Sequence, residues 1–151
     1  MKYSRGFTLV ELLVTLAVLA VVLGFGVPSF QNMVESNRVT SVTNSLVGLL
    51  NYARAEAMRH GRAVSVVPVD GSYANGVAAQ IDGNDLRVIE GKNGSVTIAM
   101  TQGSALGFRA NGLSNQSSEI NYRICGTSGN RGTLVRVGQG GQIRSESLTC
   151  P

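Results

Sequence analysis

The apolar run of residues 7–27 constrains the fold of this chain more than any other feature. Apart from Glu11, two threonines and two glycines, every residue in it has a hydrophobic side chain. As an α-helix the run is about 31 Å long, close to the thickness of the hydrocarbon core of a bilayer. Lys2 and Arg5 precede it and favour a cytoplasmic amino terminus. A carboxylate inside such a helix costs about 2.5–3.5 kcal/mol on insertion scales, so Glu11 calls for a functional explanation.

Simpler interpretations of this run also have to be considered. A secretory signal peptide begins with basic residues, but its apolar region is about 7–15 residues long and ends at a small-residue cleavage site. A helix buried in a soluble core is apolar all round only in a much larger domain. A plain membrane anchor has the right length, but it leaves Glu11 without a role. The anchor therefore remains the main alternative, and the secretory signal the weaker one.

The residues around the start of the run resemble the processing site of type IV prepilins and type II secretion pseudopilins. The resemblance is carried by Arg5-Gly6-Phe7-Thr8-Leu9-Val10-Glu11-Leu12-Leu13. It implies that a prepilin peptidase cuts between Gly6 and Phe7 and that Phe7 becomes the methylated amino terminus. It also implies that Glu11 acts in assembly, by pairing with the terminal amine of a neighbouring subunit. Pro28 is similar to the proline that kinks the helix in that superfamily.

The rest of the chain has the size of one small exported domain. A chain of 151 residues accommodates one membrane helix and a globular part of about 90 residues, whose core is modest. In an oxidising compartment, a disulfide between Cys125 and Cys150 is the first interpretation, and two buried free thiols are the alternative. Neither cysteine has metal-ligand spacing, and His60 is the single histidine. We therefore expect no metal and no cofactor.

Charge is unevenly distributed along the sequence. The formal net charge is +4 at pH 7, and two of the basic residues belong to the leader. Residues 63–90 contain one arginine against four carboxylates, whereas residues 91–151 contain six basic residues against two acidic ones. A basic C-terminal half favours an acidic partner only if its side chains converge in space.

Residues 29–61 predict an amphipathic continuation of the membrane helix. Apolar residues recur every three or four positions and so share one helical face, namely Val39, Val42, Leu46, Leu49, Ala53 and Ala57. The charged residues are expected mostly on the solvent side, namely Glu35, Arg38, Arg54 and Arg59. Gly61 is a natural end for the helix. Gly24, Gly26 and Pro28 are expected to bend or loosen it.

After Gly61 the pattern changes to short β-rich segments separated by turn residues. Strands are predicted at 63–69, 76–81, 86–90, 95–100, 119–125, 134–137 and 142–145. Hairpin turns are predicted at 82–85, 93–94 and 138–141, where glycine and asparagine tolerate positive φ. The predicted fold is α+β, a long amino-terminal helix packed on an antiparallel β domain. Its parts are a leader (1–6), a transmembrane and assembly helix (7–28), an amphipathic helix (29–61) and a β-rich domain (62–151).

Three later segments resemble GspH/FimT-type minor pilins. They are Asn51-Tyr52-Ala53-Arg54-Ala55-Glu56-Ala57, Phe108-Arg109-Ala110-Asn111-Gly112 and the stretch 134–144. The resemblance implies a subunit that primes or caps a type IV pilus at low copy, with other pilins and the prepilin peptidase as partners. It implies a single-pass inner-membrane protein with a periplasmic C-terminal domain, extracellular once assembled. A minor pseudopilin of a type II secretion system shares these residues and is the alternative.

An enzyme is the class that the sequence supports least. One histidine, no pair of carboxylates at useful spacing and no nucleophile elbow leave little for acid–base or nucleophilic catalysis. The glycine-rich stretches lack a phosphate-binding arrangement at a strand-to-helix junction, so they are interpreted as turns.

DNA binding is a further hypothesis for the basic C-terminal hairpin. Arg131, Arg136 and Arg144 are the candidate phosphate contacts. DNA-binding relatives are similar in carrying glycine-arginine-x-arginine at this hairpin, but here Gln142 replaces the first arginine. Contacts from three arginines imply weak, non-specific binding with a salt slope of about −2.7 at most. Ordinary solvated charges are the competing interpretation.

Overall fold

The structure is a computed structural model that describes residues 6–93, 95–103, 105–127 and 131–150. Lys2 and Arg5 of the predicted leader lie outside the described residues. The chain divides into two compact units, Met1–Val34 and Glu35–Pro151.

One long helix, α1 (Leu9–His60), forms the amino-terminal part of the described chain. It ends because Gly61 adopts a left-handed φ of 62°. The amide of Arg62 then donates to the carbonyl of Ala57 at 3.2 Å, which is the Schellman arrangement. The predicted helix end is therefore confirmed. The helix continues through positions 24–28, so the residues there do not end it, and a bend at Pro28 stays a prediction.

In the second unit, one face of α1 is buried. The buried apolar residues are the six that the periodicity predicts together with Leu50, namely Val39, Val42, Leu46, Leu49, Leu50, Ala53 and Ala57. This burial shows that the helix is amphipathic from Val39 to Ala57, because apolar residues at three- and four-residue steps occupy one side of a helix. The bounds 29–61 stay a prediction.

Nine strands follow within the described residues. They are β1 (Val64–Val69), β2 (Ser72–Ile81), β3 (Asn84–Glu90), β4 (Lys92–Asn93), β5 (Val96–Gln102), β6 (Leu106–Phe108), β7 (Ile120–Gly126), β8 (Gly132–Val137) and β9 (Ile143–Leu148). The first sheet has the order β3-β2-β1-β6 and the second sheet the order β4-β5-β7-β8-β9. All neighbouring strands are antiparallel.

The seven predicted strands are all present, with ends that differ by a few residues. Two strands were not predicted, β4 with 2 residues and β6 with 3. Segments this short carry no periodicity, and their partners β5 and β1 define them. The largest fully buried side chains of the core are Tyr122 and Phe108, and they pack with the buried face of α1 and apolar residues of both sheets. The predicted α+β fold is confirmed.

Two hairpins turn through an aspartate followed by a glycine. Asp82-Gly83 joins β2 to β3 and Asp70-Gly71 joins β1 to β2, with positive φ at all four residues, the pattern of type I′ turns. Only the first was predicted, although the second carries the same signal. The predicted glycine-rich hairpin between β8 and β9 is confirmed. The predicted turn at Asn93-Gly94 includes Gly94, which lies outside the described residues.

Candidate functional site

The predicted cleavage site lies just before α1. Gly6, Phe7 and Thr8 are exposed and not helical, and 83% of Phe7 is accessible. A β-carbon built on Gly6 would meet no atom within 4 Å. The bond between Gly6 and Phe7 is therefore reachable by another protein, and the helix begins two residues after it.

Thr8 caps the helix at its amino terminus. Its Oγ1 atom accepts a hydrogen bond from the amide of Glu11 at 3.2 Å, and its carbonyl oxygen accepts one from Leu12 at 3.2 Å. A threonine followed three positions later by glutamate is the capping-box pattern. Sequence reasoning assigned this threonine only to the processing motif, although the spacing itself contained the signal. The carboxylate of Glu11 thus lies in the first helical turn, where the helix dipole favours negative charge.

Residues 9–23 of α1 present a surface that is apolar except for Glu11 and Thr15. Every apolar side chain from Leu9 to Leu23 is exposed, and the helix contains a span with a mean hydropathy of 2.5 that is long enough to cross a membrane. Its burial within this chain is 0%. A surface of this kind is stable in lipid or against other apolar helices.

A disulfide joins Cys125 to Cys150, as the first interpretation of the cysteines proposed, with a Cα–Cα distance of 6.0 Å. Cys125 lies on β7 opposite Gly132 of β8, and Gly132 lies opposite Leu148 of β9. The bridge therefore ties β7 to the segment after β9, across β8. With a sequence separation of 25, the chain-entropy model gives a stabilisation of about 3.5 kcal/mol.

The three hairpin arginines do not form one basic patch. Arg136 donates to Glu119 at 2.9 Å and also to Glu146. Hydrogen bonds to Glu146 and Glu119 raise the pKa of Arg136 above its ordinary value. Arg144 lies directly opposite Arg136 on β9, whereas Arg131 precedes the other end of β8. Two carboxylates therefore offset the charge of Arg136. Arg131 and Arg144 lie toward opposite ends of the hairpin formed by β8 and β9.

Arg54 connects α1 to the loop between β8 and β9, a role that the sequence analysis did not predict. It was expected on the solvent side, but it is half-buried and its Nη2 atom donates to the carbonyl of Gly140 at 3.2 Å. Glycines leave room for it, since β-carbons on Gly112 and Gly141 would lie 3.2 and 3.1 Å from its Nε atom. The resemblance at 51–57 included this residue, but periodicity alone could not separate a loop-binding arginine from a solvated one.

A polar cavity of about 470 Å³ lies between α1 and the end of the second sheet. We call it the hydroxyl-lined cavity, and it is formed by Ser36, Val39, Thr40, Arg131, Gly132, Thr133, Ser147, Leu148 and Thr149. Five of these residues carry hydroxyl groups and one carries a guanidinium. Within the described residues, no cluster of three or more His, Cys, Asp or Glu side chains could hold a metal ion.

Comparisons with known proteins match both the amino-terminal segment and the globular part of the chain. The family described as "Type II transport protein GspH" matches residues 42–141, and the "Prokaryotic N-terminal methylation motif" matches residues 1–27. A "Fimbrial protein" of Pseudomonas aeruginosa is 28% identical over 119 residues, covering 74% of this chain and 77% of its own. "Prepilin peptidase-dependent protein D" of Escherichia coli (strain K12) is 31% identical over 61 residues, 40% of this chain and 42% of its own.

A solved structure supports the fold. The crystal structure of the type IV minor pilin FimU of P. aeruginosa (strain PAO1), in space group P21, superposes with a TM-score of 0.63 at 26% identity. The match covers 78% of this chain and 98% of that chain.

Proposed function

The chain belongs to the GspH family of minor type IV pilins and pseudopilins, and we propose that it is cut between Gly6 and Phe7, methylated on Phe7, and incorporated into a type IV pilus at low copy. It is a structural protein and not an enzyme. The observation that carries the proposal is the exposed, non-helical bond between Gly6 and Phe7 immediately before a capped apolar helix. A glycine before the scissile bond lets a peptidase approach the backbone closely.

Glu11 is the residue that we assign to assembly. Its carboxylate is exposed among apolar side chains, and in lipid an unpaired charge of this kind is costly. After cleavage, the ammonium group of Phe7 has the same need for a counter-charge. Pairing between the carboxylate of one subunit and the amine of the next neutralises both groups, so it favours the filament over the isolated subunit.

The subunit is proposed to occupy two environments in turn, the inner membrane and the filament. Before assembly, the apolar half of α1 anchors it in the inner membrane and the domain beginning near Glu35 lies in the periplasm. In the filament, the same apolar surface packs against the helices of other pilins and the domain becomes extracellular. The similarity to a type IV minor pilin supports the proposal that the subunit is incorporated at low copy, where it primes or caps the filament.

Mass spectrometry of the membrane-extracted protein tests the processing step. We expect a mature chain that starts at methylated Phe7, and the Gly6→Leu variant should retain its leader. An intact leader on the wild-type chain, or a start elsewhere, contradicts the assignment.

A minor pseudopilin of a type II secretion system is the second candidate, favoured by the description of the family that matches residues 42–141. The relatives described as fimbrial protein and type IV minor pilin favour the pilus. A deletion strain separates the two functions. Loss of surface pili and twitching indicates the pilus, whereas loss of enzyme secretion with normal pili indicates the secretion system.

DNA binding by the C-terminal hairpin is a weaker candidate. The carboxylates beside Arg136 compete with phosphate for its guanidinium, which leaves Arg131 and Arg144 at separate positions. Two phosphate contacts correspond to a salt slope of about −1.8. A gel-shift titration of the detergent-solubilised chain, compared with Arg131→Ala and Arg144→Ala, tests this idea. Binding that neither salt nor these variants weaken rules out the hairpin as the site.

A further inference from the structure

The free edge of the second sheet, formed by β9, is exposed along most of its length. β9 is the last strand in the sheet order. Its four central residues, from Arg144 to Ser147, are all exposed. A helix or loop packed on one face of this strand would bury every second side chain, because side chains alternate between the two faces. Both faces of this strand are therefore accessible near the edge.

The backbone groups of β9 that point away from β8 can be assigned from the register. The amide of Gly138 donates to the carbonyl of Gln142 at 3.0 Å, and this pair continues the register of β8 with β9. Hydrogen-bonded and non-hydrogen-bonded pairs alternate in an antiparallel ladder. Bonds to β8 therefore come from residues 144, 146 and 148. Ile143, Ser145 and Ser147 direct their N–H and C=O groups outward.

Within the described residues, the outward amides of Ser145 and Ser147 have no hydrogen-bond partner. A row of unpaired backbone groups on a regular strand is a template for another strand. The template spans most of β9, because every second residue contributes one donor and one acceptor.

The other sheet edges carry features that discourage such pairing. β3 has a register shift against β2 between Ala79 and Gln80, and it carries three charged residues, Asp85, Arg87 and Glu90. β4 and β6 have only 2 and 3 residues. Bulges, charges and short length are the usual protections of an edge. β9 also carries two charged residues, Arg144 and Glu146, but Glu146 is paired with Arg136, and β9 joins β8 without a register shift and contains no proline. Among the described strands it is therefore the sheet edge that is both longer than three residues and regular, which suits strand addition.

The hydroxyl-lined cavity lies beside the inner face of this same edge. Ser147 and Thr133 are opposite each other in the ladder, and both line the cavity. Arg131 also lines it and is exposed, and none of the ion pairs among the described residues includes it. A side chain on the inner face of an added strand would thus meet hydroxyl groups and one cation. A carboxylate fits this set, because hydroxyls donate to it and a guanidinium binds it as a charged donor.

We propose that β9 receives an extended segment of another pilin subunit of the same filament, which pairs with its outward backbone groups and directs an acidic side chain toward Arg131. The inference rests on the proposed function, since a filament brings another subunit to this domain. In recognition by strand addition, main-chain bonds supply affinity and a side-chain pocket supplies specificity. Here the edge of β9 supplies the main-chain bonds, and the hydroxyl-lined cavity supplies the side-chain pocket.

Proline scanning of the edge tests the backbone part of the inference. Ser145→Pro removes an outward N–H without removing a bond to β8, and prolines are tolerated at such edge positions. Ser145→Ala is the matched control, because it removes the hydroxyl and keeps the amide. Each full-length variant is expressed in a deletion strain, and its copy number is measured in sheared filaments. We expect about tenfold fewer copies for Ser145→Pro than for Ser145→Ala.

Folding of each variant is checked by its disulfide and its resistance to trypsin after membrane extraction. If Ser145→Pro fails this check, Ser147→Pro and Ser147→Ala replace the pair, because Ser147 has the same orientation. Equal incorporation of a folded proline variant and its alanine control overturns the inference. Absence of the wild-type chain from filaments overturns the proposed function as well, so the two failures are distinguishable.

Photo-crosslinking tests the side-chain part. Benzoylphenylalanine at Thr149, on the cavity wall, is expected to capture a peptide of another pilin that contains aspartate or glutamate. Arg131→Glu should reduce this adduct about tenfold, since it replaces attraction by repulsion, and Arg109→Glu in a distant loop should not. Adducts only with a second copy of this chain, or with no pilin, contradict the proposal.

Discussion

The guanidinium of Arg54 donates a hydrogen bond to the carbonyl oxygen of Gly140 across 3.2 Å. This contact joins α1 to the loop between β8 and β9. The same side chain lies against Gly112, in the loop that follows β6 of the first sheet. One helical residue therefore contacts loops of both sheets, through a hydrogen bond to one loop and close packing against the other.

We expect Arg54→Ala to lower the free energy of unfolding by about 1.5–3 kcal/mol, the usual range for a hydrogen bond to a charged group. Urea unfolding of the detergent-solubilised chain, followed by tyrosine fluorescence, measures this change. Arg109→Ala is the control, because Arg109 is exposed, and it should have an effect within about 0.5 kcal/mol. Equal stability of the two variants would show that the contact with Gly140 contributes little.

Gly132→Ala should destabilise the domain because there is no room for a β-carbon. An added carbon would lie 2.5 Å from the carbonyl oxygen of Ile124 and 2.9 Å from the sulfur of Cys125, and it would also overlap Cys150. Overpacking of this kind costs about 1–3 kcal/mol. Thermal unfolding of the oxidised chain measures the loss.

A second glycine provides the control for this prediction. Gly48 lies within α1, and a β-carbon there would meet nothing within 4 Å. Gly48→Ala should therefore stabilise the chain by about 0.5–1 kcal/mol through helix propensity. Destabilisation by both substitutions to the same extent would contradict the steric explanation for Gly132.

Stability should fall at alkaline pH because of Tyr122. Burial raises the pKa of its hydroxyl well above the ordinary value of about 10. The unfolded state loses this proton first, so the contribution is fully present below about pH 10 and is lost as pH rises further. Unfolding midpoints in urea between pH 8 and 11 should decline, and less so for Tyr122→Phe. An identical decline in that variant would assign the effect to other groups.

Glu11→Gln should leave membrane insertion and cleavage intact but reduce incorporation into filaments. The variant cannot neutralise the terminal amine of another subunit, and an uncompensated charge in lipid costs about 2.5–3.5 kcal/mol, so a loss greater than about tenfold is expected. Immunoblots of sheared filaments and of membranes measure the two pools. Thr15→Ala, one helical turn further on, is the control. Full incorporation of cleaved Glu11→Gln would remove the assembly role.

Local sequence patterns predicted the features of this molecule that interactions between neighbouring residues determine. The buried face of α1 follows from a 3.6-residue period, and its end follows from a glycine that can adopt positive φ. The turn at Asp82-Gly83 was found for the same reason. The turn at Asp70-Gly71 could have been found too, because it contains the same dipeptide.

The remaining features depend on contacts between distant residues. β6 is a strand because β1 lies beside it, and three residues contain no signal of that. Arg136 looked like a free phosphate ligand in the sequence, but antiparallel pairing brings Glu146 to it and the start of β7 brings Glu119. Arg54 looked like a solvated residue, because nothing in its own segment specifies a loop 86 positions away.

The bridge between Cys125 and Cys150 has a consequence for how the domain comes apart. β8 is enclosed by two neighbours that are covalently linked to each other around it. None of the three strands can separate singly while the bond is intact. The amides that bond between β7, β8 and β9 should therefore exchange with deuterium at similar, slow rates, whereas the outward amides of Ser145 and Ser147 should exchange fast. Partial unfolding is then confined to elements outside β7, β8 and β9. The free edge of β9 therefore keeps its geometry until the whole domain unfolds.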